Sequence, residues 1–228
     1  MKRVMCVWLP NWPVQRWRRA RPSVDGRPLV LFVPAGRGGP RVTACSRAAR
    51  KRGAAPGMLL AEARALCGPS MYCEPHDSPA DREALRGLAR TCELLAPWVA
   101  IDPEEPPDCL LLEVAGCGHL FGGERGLALE AIATLRRRGY LAAVAIADTI
   151  GAAWAFAHHH PASRLVAQRD DARIVVVAPN RHVEAIRSLP VQSLRLSPSV
   201  VSLLHGFDVR RVGQLMELSR PDLPSRFG

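Results

Sequence analysis

The chain has 228 residues, 48% of them hydrophobic and 23% charged, with a formal net charge of +10, which is ample for a packed core and excludes a disordered chain. Its seven cysteines fall at irregular spacings with no Cys-x-x-Cys pair, so neither a disulfide framework nor a zinc site is indicated. The N-terminal apolar run is too short for a signal peptide and no other run could span a membrane, so a soluble, cytoplasmic protein with no membrane partner is predicted. Residues 1–52 hold thirteen Lys or Arg against one acid, Asp25, a concentration that favours a polyanion-binding face over diffuse solubilising charge.

In chain order, Val4 to Leu9 reads as a buried strand, and Pro10-Asn11-Trp12-Pro13 turns into a helix to about Ala20. Asn11 or Trp12 caps that helix, which carries Arg16, Arg18, Arg19 and Arg21. A turn at Asp25-Gly26, a strand over Pro28 to Val33, a glycine-rich loop at Gly36 to Pro40 and a strand over Arg41 to Cys45 follow. Ser46 is placed to cap a short helix ended by Gly53, with Arg47 and Arg50 on one face, a natural seat for phosphates or a solvated basic turn. A helix from Gly57-Met58 to Leu66 and a strand over Met71 to Glu74 complete this segment. Ser78-Pro79-Ala80-Asp81 starts a long helix with Ser78 as cap, in which Leu85, Leu88, Cys92 and Leu95 share a face.

Trp98 to Ile101 is a predicted strand, and Asp102 to Asp108, with three prolines and four acids, a rigid loop. Asp108 opens the next apolar run, and Glu113, five residues on, falls on the opposite face of a strand. The run breaks at Gly116, and Glu124 to Arg138 reads as a helix. Tyr140 to Ala147 is a near-continuous apolar strand, after which Asp148-Thr149 caps a helix to about His159. His158-His159-His160 invites a metal reading, but adjacent helical side chains diverge by about 100°, no acid is near, and placement against the helix dipole is the preferred account. Arg164 to Ala167 and Ile174 to Ala178 are further strands. Short helices follow from Pro179: Asn180 to Ser188, Ser197 to Leu204 and Val209 to Leu218, the last two joined at Gly206 in a helix-hairpin-helix pattern. The end at Ser225-Arg226-Phe227-Gly228 reads as a truncation.

Together these motifs resemble the Y-family translesion DNA polymerases, and most closely their catalytically degenerate ImuB-type branch. The match is carried in order by Val7 to Pro13, Ser46-Arg47-Ala48-Ala49-Arg50, Gly57 to Ala63, Leu111 to Gly123, and Leu189-Pro190-Val191 with Arg226-Phe227-Gly228. The resemblance implies an α/β (α+β) fold: a ferredoxin-like palm over 1–22 plus 80–178, a fingers insertion over 23–79, and a helix-hairpin-helix thumb over 179–228, without the little finger. In the family, three carboxylates hold paired Mg²⁺ for nucleotide transfer. Here Trp8 and Cys109 stand at two of those positions and Asp108 is the remaining acid, a weak metal candidate. Arg50 matches the family's triphosphate-binding arginine and Arg47 replaces its tyrosine. Ile150 stands for the palm lysine, and Leu194 to Pro198 replaces a glycine-rich hairpin.

The implied function is a non-catalytic component of damage-induced translesion synthesis and DNA repair, with no cofactor. Ser46, Arg47 and Arg50 are then phosphate contacts, and Arg195, Gly206, Arg210 and Arg211 DNA contacts. The implied partners are DNA, a replicative-type error-prone polymerase, and a sliding clamp or RecA-like accessory protein. Two alternatives stand beside this: an active error-prone polymerase using Mg²⁺ with acids such as Asp102, Glu104 or Glu105, and a palm-like signalling or assembly domain that does not act on DNA.

Overall fold

The structure is a computed structural model, and its description covers residues 2–22, 26–34, 38–161 and 173–218. The main sheet has strands β1 (Val4–Trp8), β5 (Trp98–Ile101), β6 (Cys109–Glu113), β7 (Ala143–Ala147) and β8 (Ile174–Val176), in the order β5-β6-β1-β7-β8. β1 lies at the centre, antiparallel to β6 and β7, and its register sets Trp8 opposite both Cys109 and Ala143. β7 and β8 run parallel.

The inner strands β1, β6 and β7 are covered on both faces, which is why they read as nearly continuous apolar runs rather than alternating. Met5, Val7, Leu110, Leu112, Val144 and Ile146 pack with residues of α4 (Ser78–Cys92) and α5 (Glu124–Arg137). The opposite face presents Cys6, Cys109, Leu111, Ala145 and Ala147 to α6 (Ile150–His159). α6 meets them with Ala152, Ala153, Ala155 and Ala157. With small side chains on both sides, this helix can lie close against β1 and β7 and carry its last turn to the end of β1.

A smaller three-stranded sheet, β3-β2-β4, comprises β2 (Leu29–Val33), β3 (Arg41–Cys45) and β4 (Tyr72–Pro75). Helices α2 (Arg47–Arg50) and α3 (Leu60–Cys67) cover one face over Val30, Val42 and Cys45. The other face, Leu29, Leu31 and Ala44, packs on Val14 and Trp17 of α1 (Trp12–Ala20), which joins the two sheets. After β8, helices α7 (His182–Ile186), α8 (Pro198–Gly206) and α9 (Val212–Glu217) follow, with Val191, Leu204 and Val209 as a small core of their own.

The expected elements are present within a few residues, but their caps differ. α4 is capped by Asp77, not Ser78: the Asp77 carboxylate accepts from the Ala80 N–H at 3.0 Å, and Ser78 and Pro79 become the first helical residues. Asn11 holds the cap position of α1 in a left-handed conformation (φ 55°) and makes no side-chain cap. Its Nδ2 donates to the Cys45 carbonyl at 3.0 Å, tying α1 to β3. Thr149 alone caps α6, accepting from the Ala152 N–H at 3.2 Å. Gly126, in the first turn of α5, is required by a close approach: a Cβ there would lie 1.8 Å from the Phe121 carbonyl oxygen. The predicted strand Arg164 to Ala167, Asp25 of the first turn, Gly36 and Arg37 of the loop, and the C-terminal Ser225 to Gly228 lie outside the described residues.

Asp148 is drawn from capping into a buried ion network. Arg3 donates through Nη1 to Asp148 at 2.7 Å and grips Glu124 through Nε and Nη2 at 2.6 and 2.5 Å. The Asn180 N–H and His182 Nδ1 also meet Asp148, at 2.7 and 2.9 Å. Burial works to raise the Asp148 pKa, but the bonds from Arg3, Asn180 and His182 outweigh it and hold the carboxyl below its ordinary value. A depressed folded pKa gives stability that is complete above the unfolded value, about 3.9, and lost as pH falls through the folded one. Denaturant midpoints followed below about pH 4 should therefore fall more steeply with acid in the wild-type chain than in Asp148→Asn.

Candidate functional site

The ends of β1 and β6 and the last turn of α6 converge, and the chain approaching α8 closes over them. At the end of β1, Trp8 Nε1 donates to Asp108 Oδ2 at 2.8 Å. The other oxygen, Asp108 Oδ1, faces His158 Nε2 at 3.1 Å. The far ring nitrogen, Nδ1, bonds the Trp154 carbonyl at 2.9 Å, the partner one helical turn back. One strand residue deeper, Cys109 Sγ donates to Asp102 Oδ2 at 3.4 Å. Asp102 is buried and receives the Arg195 guanidinium through Nη1 and Nη2 at 3.2 and 2.6 Å.

Rings stack across the same place. The Arg195 guanidinium lies 4.2 Å from the Trp154 ring, Trp154 stacks on His158 at 4.1 Å, and His158 sits 4.9 Å from Trp8. Burial works to lower the His158 pKa, but hydrogen bonds to Asp108 and Cys6, with their charges, carry the imidazole up to about 9. The Cys109 thiol is pushed up by its hydrogen bond with Cys6, by burial and by the nearby carboxylates, and so keeps its proton.

His158 thus has an acidic partner that its sequence neighbourhood lacks, which corrects the dipole-only reading of the histidine run. Asp108 and Glu113 separate as expected, Glu113 exposed to solvent and Asp108 turned into this cluster. Asp102 was signalled only as an acid of the active-polymerase alternative, not as a partner of Cys109 and Arg195, and Trp154 was not signalled at all. Asp102 lay in an acid-rich loop that reads as surface, and nothing in a helical alanine run marks Trp154.

The predicted binding residues divide between free and structural. Ser46 is buried, and its Oγ accepts from the N–H groups of Leu29 at 3.0 Å and Ala49 at 3.3 Å, so it serves as a helix cap and strand clip. Arg47 and Arg50 are exposed beside Lys51, and none of the three has a side-chain partner among the described residues. Arg195, predicted as a DNA contact, is held by Asp102, Glu104 and the Trp154 ring. It takes the left-handed conformation (φ 56°) in the segment where glycine was expected. Gly206 is not the hairpin's turn: it is the last residue of α8, and the left-handed position is Asp208 (φ 59°). Arg210 pairs with Asp208 at 2.8 Å and Arg211 Nη1 donates to the Ser188 carbonyl at 2.8 Å, while both stay exposed. Ile150 is exposed at the start of α6.

A model of the impB/mucB/samB family matches residues 7–158, which span this cluster from β1 to His158. The chain belongs to that family. Among curated relatives of this impB/mucB/samB member is Protein ImuB of Caulobacter vibrioides (strain NA1000 / CB15N). The two are 38% identical over 173 residues, 76% of this chain and 34% of the relative. DNA polymerase IV 2 of Mesorhizobium japonicum is 28% identical over 195 residues, 85% of this chain and 43% of that protein. The chain therefore spans less than half the length of these relatives. Of solved structures, the insertion ternary complex of Dbh DNA polymerase superposes with a TM-score of 0.80 at 18% identity, over 99% of this chain and 63% of that one. DinB from Sulfolobus solfataricus gives 0.76 at 18%, over 98% and 62%. At that identity the likeness shows the fold, which is the mixed α/β fold of the Y-family polymerases, as the sequence predicted.

Proposed function

We propose that this impB/mucB/samB chain is a Y-family polymerase scaffold without nucleotide-transfer activity, which binds DNA and supports a separate error-prone polymerase during translesion synthesis. The observation that carries this reading is the occupation of the two carboxylates at the ends of β5 and β6. Asp108 accepts from Trp8 and faces His158, and Asp102 accepts from Cys109 and Arg195. Mg²⁺ requires several oxygen ligands in octahedral array, and here an indole and a thiol stand where the resemblance places two of them. These residues do not fit a paired-magnesium centre. The likeness to Protein ImuB supports the same reading.

In this scheme the main sheet with α1, α4, α5 and α6 is the palm (1–22 and 80–178), the three-stranded unit the fingers (23–79), and the helices from residue 179 the thumb. Arg47, Arg50 and Lys51 present unpaired charge to the phosphate backbone, with Arg210 and Arg211 as secondary contacts. A replicative-type polymerase, with a sliding clamp or RecA-like accessory, would be the partner.

The likeness to DNA polymerase IV 2 favours a second reading, an active error-prone polymerase. A primer-extension assay with Mg²⁺ or Mn²⁺ separates the two: no dNTP-dependent extension is expected, and extension abolished by Asp108→Ala would establish the second. DNA binding is tested by titration against salt. Removing Arg47, Arg50 and Lys51 together should flatten the slope of log K against log salt by about 2–3, and binding insensitive to salt would remove DNA from the proposal.

A further inference from the structure

We propose that Asp108, Cys109 and His158 form a binding site for a soft divalent cation of the zinc class, with a donor set unlike that of a magnesium centre. The inference stands whether or not the chain binds DNA. It begins with the His158 ring. Nδ1 lies 2.9 Å from the Trp154 carbonyl, and a carbonyl only accepts, so Nδ1 carries a hydrogen. In the neutral ring Nε2 then presents a lone pair, and it points at Asp108 Oδ1 from 3.1 Å. Asp108 is itself held as an acceptor by the Trp8 N–H at 2.8 Å on its other oxygen. A second ring proton is the positive centre between the two groups, and a metal ion can take that proton's place.

The third donor favours the metal. One ligand atom from each of Asp108, Cys109 and His158 lies within 4.8 Å of the other two. A tetrahedron with zinc-type bonds of about 2.0–2.3 Å has edges of about 3.3–3.8 Å, so the set must contract by no more than about 1–1.5 Å to close on an ion. Cys6, buried in the same core cluster as Cys109, brings a second thiol to this face of the sheet. Sulfur, imidazole nitrogen and one carboxylate oxygen are the donors that select zinc over magnesium. A thiolate and a carboxylate would balance the charge of a divalent ion.

Each proposed ligand also has an outer partner that aims it: Trp154 for His158, Trp8 for Asp108, and Asp102, neutralised by Arg195, beside Cys109. The side chain of Asp108 is 36% exposed while that of His158 is 9% exposed, so an ion enters past the carboxylate into a closed end.

The test uses the full chain, stripped with a chelator and titrated with Zn²⁺ by calorimetry, and with Co²⁺ by absorption. One equivalent should bind, Co²⁺ should show a thiolate charge-transfer band, and millimolar Mg²⁺ should not compete. Cys109→Ser, His158→Gln and Asp108→Asn should each weaken Zn²⁺ binding by about 10-fold or more, whereas Cys73→Ser with Cys117→Ser should leave it unchanged. Asp108→Asn, at the half-exposed edge, keeps the test open if a buried variant fails to fold. Absence of stoichiometric binding, a Co²⁺ spectrum without a thiolate band, or binding that survives all three variants would overturn the proposal.

Discussion

Arg3→Met is expected to destabilise the chain by about 3–5 kcal/mol. Arg3 is 5% exposed, immediately before the central β1, and its guanidinium ties three elements together. It grips Glu124 at the start of α5 with two bonds, Asp148 before α6 with a third, and the Val177 carbonyl after β8 with a fourth at 2.8 Å. Methionine fills much of the volume of the side-chain stem but leaves two carboxylates without their cation. The Asp148 side chain is 10% exposed and has little access to water, so the loss is not recovered by solvation. Arg3→Lys should fall between wild type and Arg3→Met, because a point charge keeps the attraction and loses the two-pronged grip on Glu124. Urea unfolding at neutral pH measures both, and a midpoint for Arg3→Met equal to that of wild type would refute the assignment.

Trp12→Ala is expected to cost a similar amount, about 3–5 kcal/mol. The indole is fully buried in the first turn of α1, packed 5.2 Å from the Tyr140 ring, and its Nε1 donates to the Asp81 carbonyl at 3.0 Å. Truncation leaves a large cavity between α1, α4 and the chain entering β7, and the neighbouring Leu85 and Leu135 belong to a dense core that cannot collapse into it. Trp12→Phe should lose less, since most of the volume remains and only the indole bond is gone. Because Val14 and Trp17 on the same helix carry the small sheet, the Ala variant should also loosen that unit. Hydrogen exchange across Leu29 to Cys45 reports this separately from global unfolding.

Much of the fold was readable because its signals are local. Continuous apolar runs such as Ala143 to Ala147 require burial on both faces, and helix phasing through Leu85, Leu88 and Cys92 names the face that packs. Ends were less legible, because several residues compete for each cap. Ser78 and Asp77 are both good caps and the structure uses the aspartate; Asp148 and Thr149 compete likewise, and Arg3 removes the aspartate from the contest. The basic character of residues 1–52 was plain, but charge counting could not separate arginines that face solvent, such as Arg47 and Arg50, from those consumed as struts. Arg16 is bound to Asp81, and Arg19 Nε donates to the Arg138 carbonyl at 2.8 Å.

The sequence by itself determined that the chain is a two-face-covered α/β protein with an acid at the head of β6, and it carries Trp8 and Cys109 at positions where the family resemblance implies carboxylates. Which groups then surround Asp108 was decided only in three dimensions. His158 lies fifty residues from Asp108, and Asp102 pairs with an arginine ninety-three residues away. No periodicity links such positions. They meet because alanines on α6 and on β7 let the helix lie close to the sheet, and because strand register sets Trp8 opposite Cys109. A spacing rule for cysteines and histidines therefore sees no metal site, while the folded chain places a thiol, an imidazole and a carboxylate within reach of one ion.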